Sequence, residues 1–281
     1  MHHAKNEGKN RNCFYELSVK TAHNKRTEME RELSEALTRK ELRLLYQPQV
    51  DLHTGQITGV EALLRWDSSF YGCVSPLEFI PLAEESGLII PIGLWVLKQA
   101  CQQVERWHLQ GLGHLTVAVN LSPVQLHNEG FVTAVLQQLD HIGLASSSLC
   151  FEITESVFVD NLPRVSIILS RFRNMGVRIA LDDFGTGYSS LNYMKNLPLD
   201  ILKIDKTFID NFHNGESEKE ITRTIVSLAH ILRLEVVAEG VETQEQYDYL
   251  RQIGCNKVQG YYLSRPIPAE KIITFLSSMT S

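Results

Sequence analysis

Cysteine is scarce in this 281-residue chain: Cys13, Cys73, Cys101, Cys150 and Cys255 are odd in number, widely spaced and never paired as CxxC. That pattern argues against a disulfide framework or a thiolate zinc site and fits a reducing cytoplasm. Long apolar runs are missing too. The longest, around Leu88–Leu97, falls well short of the roughly 20 residues that a membrane-spanning helix needs. The polar, charged N-terminus is unlike a secretory leader. The expectation is therefore a cytoplasmic domain, with membrane anchorage of a longer protein left open. Positive charge is in short supply as well. The formal net charge of −6, with ten histidines counted neutral, lacks the basic surplus of a DNA binder. If such a protein handles an anionic substrate, it needs local cations, from Lys and Arg or from metal.

With 43 % apolar residues the chain can build a large core, and one barrel of ordinary size would use most of it. Residues 1–26 are polar and basic. The spacing of Met29, Leu33, Ala36 and Leu37 predicts a connector helix over 27–41, leading into a domain over 42–281. Within that domain, short apolar runs alternate with helical patterns. The candidate strands are Leu44–Val50, Val60–Trp66, Leu115–Leu121, Leu149–Thr154, Val177–Leu181, Ile201–Ile204, Val236–Ala238 and Val258–Leu263. Amphipathic helices are predicted at Phe131–Leu139 and at Glu218–Leu232, the latter burying Ile221, Ile225, Leu228 and Leu232. Strands that are apolar throughout and followed by helices indicate a parallel sheet covered on its outer face. Eight such units suggest a modified TIM (β/α)8 barrel. The first connection, Asp51–Gln56, is only a short turn. The first strand should then be antiparallel to the second.

Polar residues inside these strands, or at their C-terminal ends, carry the chemical signal. The second run delivers Glu61, the third Asn120, the fourth Glu152, and the fifth Asp182 and Asp183. The sixth delivers Lys203 and Asp205, the seventh Glu239 and the eighth Gln259. In a barrel such ends meet at the face where active sites are built. Carboxylates so close would repel and take up protons unless a cation lay among them. Carboxylate and amide oxygens, without thiolate or imidazole, suit hard ions such as Mg²⁺ or Mn²⁺. A pair of such ions is able to clamp a phosphodiester and activate water. Lys203 admits two roles: a Schiff-base nucleophile of aldolase type, or a protonated amine that orients the attacking water. Acidic surroundings favour the second.

The strings Tyr46-Gln47-Pro48, Glu61-Ala62-Leu63-Leu64-Arg65-Trp66, Val119-Asn120-Leu121-Ser122, Phe151-Glu152-Ile153-Thr154-Glu155-Ser156, Asp182-Asp183-Phe184-Gly185-Thr186-Gly187, Lys203-Ile204-Asp205, Ala238-Glu239-Gly240-Val241-Glu242-Thr243 and Gln259-Gly260-Tyr261-Tyr262 run in one order across the barrel. Together they resemble the EAL family, phosphodiesterases of the second messenger cyclic di-GMP. The resemblance implies hydrolysis of cyclic di-GMP to linear 5′-pGpG with Mg²⁺ or Mn²⁺, two ions in all. Calcium is expected to inhibit, because its looser geometry would misplace the attacking water. By the same resemblance Glu61, Asn120, Glu152, Asp182 and Asp183 are metal ligands. Glu61, Lys203 and Glu239 are catalytic, with Glu239 as base or metal partner. Gln47, Leu63 and Arg65 resemble substrate contacts. Asp205, Gln259, Glu155 and Glu242 support the site, Glu155 by holding the loop Phe184–Ser190. Asn256 stands where the family often has Asp, away from the chemistry. A homodimer is implied. Residues 4–10 resemble the end of a GGDEF domain, so that 1–26 would be its remnant and the partner an upstream GGDEF or sensor region. The alternative of another class is a catalytically silent cyclic di-GMP receptor, against which the complete ligand set argues.

Overall fold

The computed structural model describes residues 24–141, 143–185, 191–210, 212 and 216–279. The segment that resembles the end of a GGDEF domain lies outside them. Two compact units divide the described chain: one takes the residues up to Arg43 and Arg65–Ile89, the other Leu44–Leu64 and everything from Ile90 on.

In the smaller unit, the connector helix α1 spans 24–36 rather than 27–41, and residues 37–40 form a turn. Its stripe of Met29, Leu33 and Ala36 is buried, as the spacing requires. A short strand without an apolar pattern of its own, β3 (Gly72–Val74), pairs antiparallel with Trp66–Ser68. Helix α2 (Pro76–Glu85) starts on Ser75, whose hydroxyl accepts from the Leu77 amide, with proline in the first turn where no amide is needed. Fully buried Trp66 packs edge-on to Phe79 at 5.7 Å and donates its indole N–H to Glu41 at 3.1 Å.

The larger unit is a closed barrel. Strands β1 (Leu42–Asp51), β2 (Ile57–Ser68), β4 (Thr116–Asn120), β5 (Leu149–Thr154), β6 (Arg178–Phe184), β7 (Ile201–Ile204), β8 (Glu235–Ala238) and β9 (Lys257–Val258) complete its ring. The order runs β1-β9-β8-β7-β6-β5-β4-β2, and a β1–β2 pairing closes it. Strand β1 is antiparallel to β9, while the pairs from β2 round to β9 through β4 are parallel. The predicted exception at the first strand is thus present. Around the ring lie α3 (Ile89–Leu109), α4 (Pro123–His127), α5 (Glu129–His141), α6 (Phe158–Asn174), α7 (Leu191–Asn196), α8 (Lys206–Asp210), α9 (Glu216–Ile231), α10 (Gln244–Gln252) and α11 (Ala269–Met279). Among the described residues, no helix is long and apolar enough to cross a membrane.

Two expectations need correction. The eighth barrel strand is far shorter than Val258–Leu263, because Gly260 turns the chain hard against the backbone of Val241. A Cβ at Gly260 would lie 2.1 Å from the Val241 carbonyl oxygen. The buried stripe of α9 runs through Thr222, Ile225, Val226 and Ala229 and leaves Ile221 exposed. The Thr222 hydroxyl donates to the Glu218 carbonyl at 3.3 Å, which lets a polar residue occupy the inner face.

Candidate active site

A layer of small and apolar side chains crosses the barrel interior: Ala118, Cys150, Ala180, Ile201 and Val237, one from each of β4 to β8. Strand side chains alternate faces, so the residues two further on point the same way. Those residues are Asn120, Glu152, Asp182, Lys203 and Glu239. The acid centre is therefore the next layer up, toward the C-terminal ends of the strands.

Lys203 is its hub and is fully buried. Its Nζ lies 2.6 Å from Glu239, 2.8 Å from Glu152, 3.1 Å from Asp182 and 3.7 Å from Glu61. Burial alone would discharge this amine, but the surrounding carboxylates more than offset it and hold its pKa well above the ordinary lysine value. Four carboxylate neighbours within 3.7 Å of its Nζ favour the ammonium over the free amine that an aldolase nucleophile needs.

The acids divide by their surroundings. Burial pushes the Glu61 carboxyl up, yet the Lys203 charge and hydrogen bonds from Gln259 and Asn120 leave it below its ordinary value. The Asn120 amide donates to one Glu61 oxygen at 2.7 Å, and the Gln259 amide donates to the other at 2.5 Å. Burial and the neighbouring Glu61 charge drive Glu152 well above the ordinary range despite Lys203. Burial also pushes Glu239 up to about 8, with Lys203 opposing and Asp182 and Glu61 adding to the rise.

Adjacent strand residues normally face opposite sides, yet Asp182 and Asp183 both serve this centre. The β6–β7 register shifts between Leu181 and Phe184, and Asp183 adopts the left-handed region at φ 53°. A local bulge of this kind re-aims a side chain. The Asp183 amide donates back to Asp182 at 2.9 Å. As a result Asp182, Asp183 and Glu239 each offer an oxygen, all within 4.8 Å of one another. Hard donors at that spacing, with five carboxylates set against one ammonium, fit a divalent cation.

The remaining predicted residues fall as follows. Gln47 accepts from Gln259 at 3.1 Å and donates to the Ser264 carbonyl at 3.1 Å. Half-buried Leu63 follows Glu61 by two on β2, and Arg65, also half-buried, belongs to the smaller unit. Glu155 accepts from the Gly185 amide at 3.0 Å, fastening the start of the loop whose residues 186–190 lie outside the described set. Asp205 makes no ion pair with Lys203 among the described residues; its carboxylate accepts from the Thr207 amide at 3.0 Å at the start of α8. Glu242 pairs with Lys206 at 2.6 Å. Asn256 lies away from the acid centre, accepting from the Val236 amide at 2.8 Å. One contributor was missed: Gln49 donates to Gln259 at 2.9 Å. Its spacing of two from Gln47 was the available signal, since both must share a strand face.

Fold and site together define a mixed (β/α)8 barrel with an acid-and-lysine centre at its C-terminal mouth. The chain belongs to the EAL domain family, which matches residues 30–266. It is 43 % identical over 273 residues to the bifunctional diguanylate cyclase/cyclic di-GMP phosphodiesterase MucR of Pseudomonas aeruginosa, covering 97 % of this chain and 40 % of that protein. It is 40 % identical over 276 residues to the cyclic di-GMP phosphodiesterase NbdA of the same organism, covering 98 % of this chain and 35 % of NbdA. The chain thus spans well under half the length of these relatives. The solved c-di-GMP complex of the PaMucR phosphodiesterase matches with a TM-score of 0.82 at 45 % identity, covering 86 % of this chain and 98 % of that one. An EAL domain protein from Listeria monocytogenes matches with a TM-score of 0.79 at 31 % identity, covering 88 % and 97 %.

Proposed function

We propose that this domain is a metal-dependent phosphodiesterase that hydrolyses cyclic di-GMP to linear 5′-pGpG and so lowers the level of that messenger. The observation that carries the reading is the buried Lys203 ammonium ringed by Glu61, Glu152, Asp182 and Glu239, with Asp183 alongside. Relatives at 40–43 % identity whose names state this activity support it.

Glu61, Asn120, Glu152, Asp182 and Asp183 would hold Mg²⁺ or Mn²⁺, two ions that when bound supply Lewis acidity at phosphoryl oxygens and an activated water. Lys203 remains protonated and acts as a hydrogen-bond donor that orients the attacking water. Glu239 touches Lys203 at 2.6 Å and is placed to take that water's proton or to share in holding metal. Gln47, Leu63 and Arg65 contact the substrate, and Arg65 suits a phosphate oxygen. Glu155 and Gln259 hold the loop and the Glu61 carboxylate in place. The working form is taken to be a cytoplasmic homodimer, by resemblance to the family, and the resemblance of residues 4–10 to the end of a GGDEF domain supports an upstream GGDEF or sensor region.

The test is release of pGpG from cyclic di-GMP by the purified domain with Mg²⁺ or Mn²⁺. Release is expected to stop with EDTA, slow with Ca²⁺ and fall at least about 100-fold in Glu61→Ala, the scale of losing a principal electrostatic group. Binding of cyclic di-GMP without any release of pGpG would establish the silent receptor instead.

A further inference from the structure

A bulge disrupts the ladder between two strands, and its geometry persists only where neighbouring contacts fix both of its ends. The bulge on β6 is bounded by the pairings Leu181–Leu202 and Phe184–Ile204, so Asp182 and Asp183 together stand against the single residue Lys203 of β7. Below it the regular ladder continues. Above it the strand ends at once, on Gly185. Gly185 takes φ 97°, a left-handed conformation that side chains rarely adopt, and a Cβ there would collide with the ring of Phe208. The far edge of that ring therefore fills the space a side chain at 185 would take.

Phe208 is half-buried on α8, and the proposed hydrolysis makes no use of it. Its placement is set by β7. Asp205, which follows Ile204, accepts from the Thr207 amide through its carboxylate at 3.0 Å and from the Phe208 amide through its carbonyl at 3.1 Å. These bonds turn the chain from β7 into α8 and bring the ring back to the end of β6. The segment that follows Lys203 thus meets the bulge twice: Ile204 closes the ladder on Phe184, and Phe208 closes over Gly185. We propose that Phe208 is a positioning residue for the cation site, its ring pinning Gly185 and so holding the bulge in the form that brings Asp182 and Asp183 together beside Glu239. It touches neither cation nor substrate. This rests on the metal-dependent phosphodiesterase reading and adds the residue that keeps the second aspartate aimed. Plain packing would make another aromatic nearby equivalent, and Phe212 supplies the comparison: it is buried and stacks edge-on with Tyr249 of α10 at 5.1 Å.

The experiment measures Mn²⁺ affinity by titration calorimetry without substrate, beside the melting temperature in EDTA, for wild type, Phe208→Ala and Phe212→Ala. Groups that orient metal ligands typically change affinity by about 10–100-fold, so Phe208→Ala is expected to weaken Mn²⁺ binding at least about tenfold. Phe212→Ala empties a more buried site and is expected to lower the melting temperature at least as far, with Mn²⁺ affinity within about threefold of wild type. Leucine at either position repeats the comparison should the alanine variant not fold; at 208 it keeps apolar bulk but loses the ring edge over Gly185. Phe208 variants that bind Mn²⁺ within about threefold of wild type, or a Phe212 variant that weakens binding equally, overturn the positioning role. Wild type that binds Mn²⁺ yet hydrolyses no cyclic di-GMP refutes the phosphodiesterase reading alone, and the role of Phe208 is still decided on the affinities. Wild type that binds no Mn²⁺ overturns both.

Discussion

Single residues bear unequal weight in this centre, and Lys203 bears most. Removing one member of a buried charge cluster leaves the others uncompensated, which typically costs about 3–5 kcal/mol. Lys203→Met is therefore expected to lose about that much stability in EDTA by urea titration; a loss below about 1 kcal/mol would show that the carboxylates discharge freely without it. Asp183 separates fold from chemistry. Its left-handed backbone is tolerable for Asp and Asn and costly for a β-branched residue. Asp183→Asn should keep the melting temperature while losing metal-dependent turnover, and Asp183→Val should lose about 1–3 kcal/mol as well. Equal stability of the two variants would contradict the strain assigned to this position. Lys203 was legible in the sequence because a charge inside Ile-Leu-Lys-Ile must find buried partners, and the neighbouring strand ends supply carboxylates. The hydrogen bond from the Thr207 amide to Asp205 was not, because spacing along a strand does not encode a local turn contact.

At the scale of elements, most strands were legible, and Leu149–Thr154 and Ile201–Ile204 match to the residue, because strands buried on both faces read as apolar runs. Strand β6 runs past its expected end through both aspartates, since paired backbone continues where hydrophobicity stops. Strand β9 stops early for the opposite reason: the apolar run goes on after Gly260 has turned the chain. Strand β3 is too short to carry a pattern. At the lower end of the barrel, Glu235 on β8 accepts from Arg178 on β6 and from Lys257 on β9, the latter at 2.7 Å. Burial pushes the Glu235 carboxyl up, and the two cations more than offset it, leaving its pKa below the ordinary value. A depressed folded-state pKa stabilises above the unfolded-state value, and that stability is lost as pH falls through the folded one. Glu235→Gln is expected to cost about 1–3 kcal/mol at pH 7, a penalty that vanishes as the pH drops below the ordinary carboxylate range. A penalty independent of pH would assign the loss to packing rather than charge.

For the whole molecule, cation binding should be linked to folding. An ion held only by the native state at a hundred times its Kd adds about 2.7 kcal/mol. Mn²⁺ is thus expected to raise the melting temperature of wild type and to leave Asp182→Ala unmoved; equal shifts in both would place the ion elsewhere. The overall architecture was legible from the alternation of runs and from the short first connection. The position of the active layer followed once strand ends were known to converge. The central claim is that water, activated in the Lys203 centre, opens one phosphodiester bond. Its most direct test is a single turnover of cyclic di-GMP in ¹⁸O-labelled water with Mg²⁺, followed by mass measurement of the product. The account predicts pGpG carrying one ¹⁸O on its 5′-phosphate. Cyclic di-GMP recovered intact and bound, or product without the label, would contradict it.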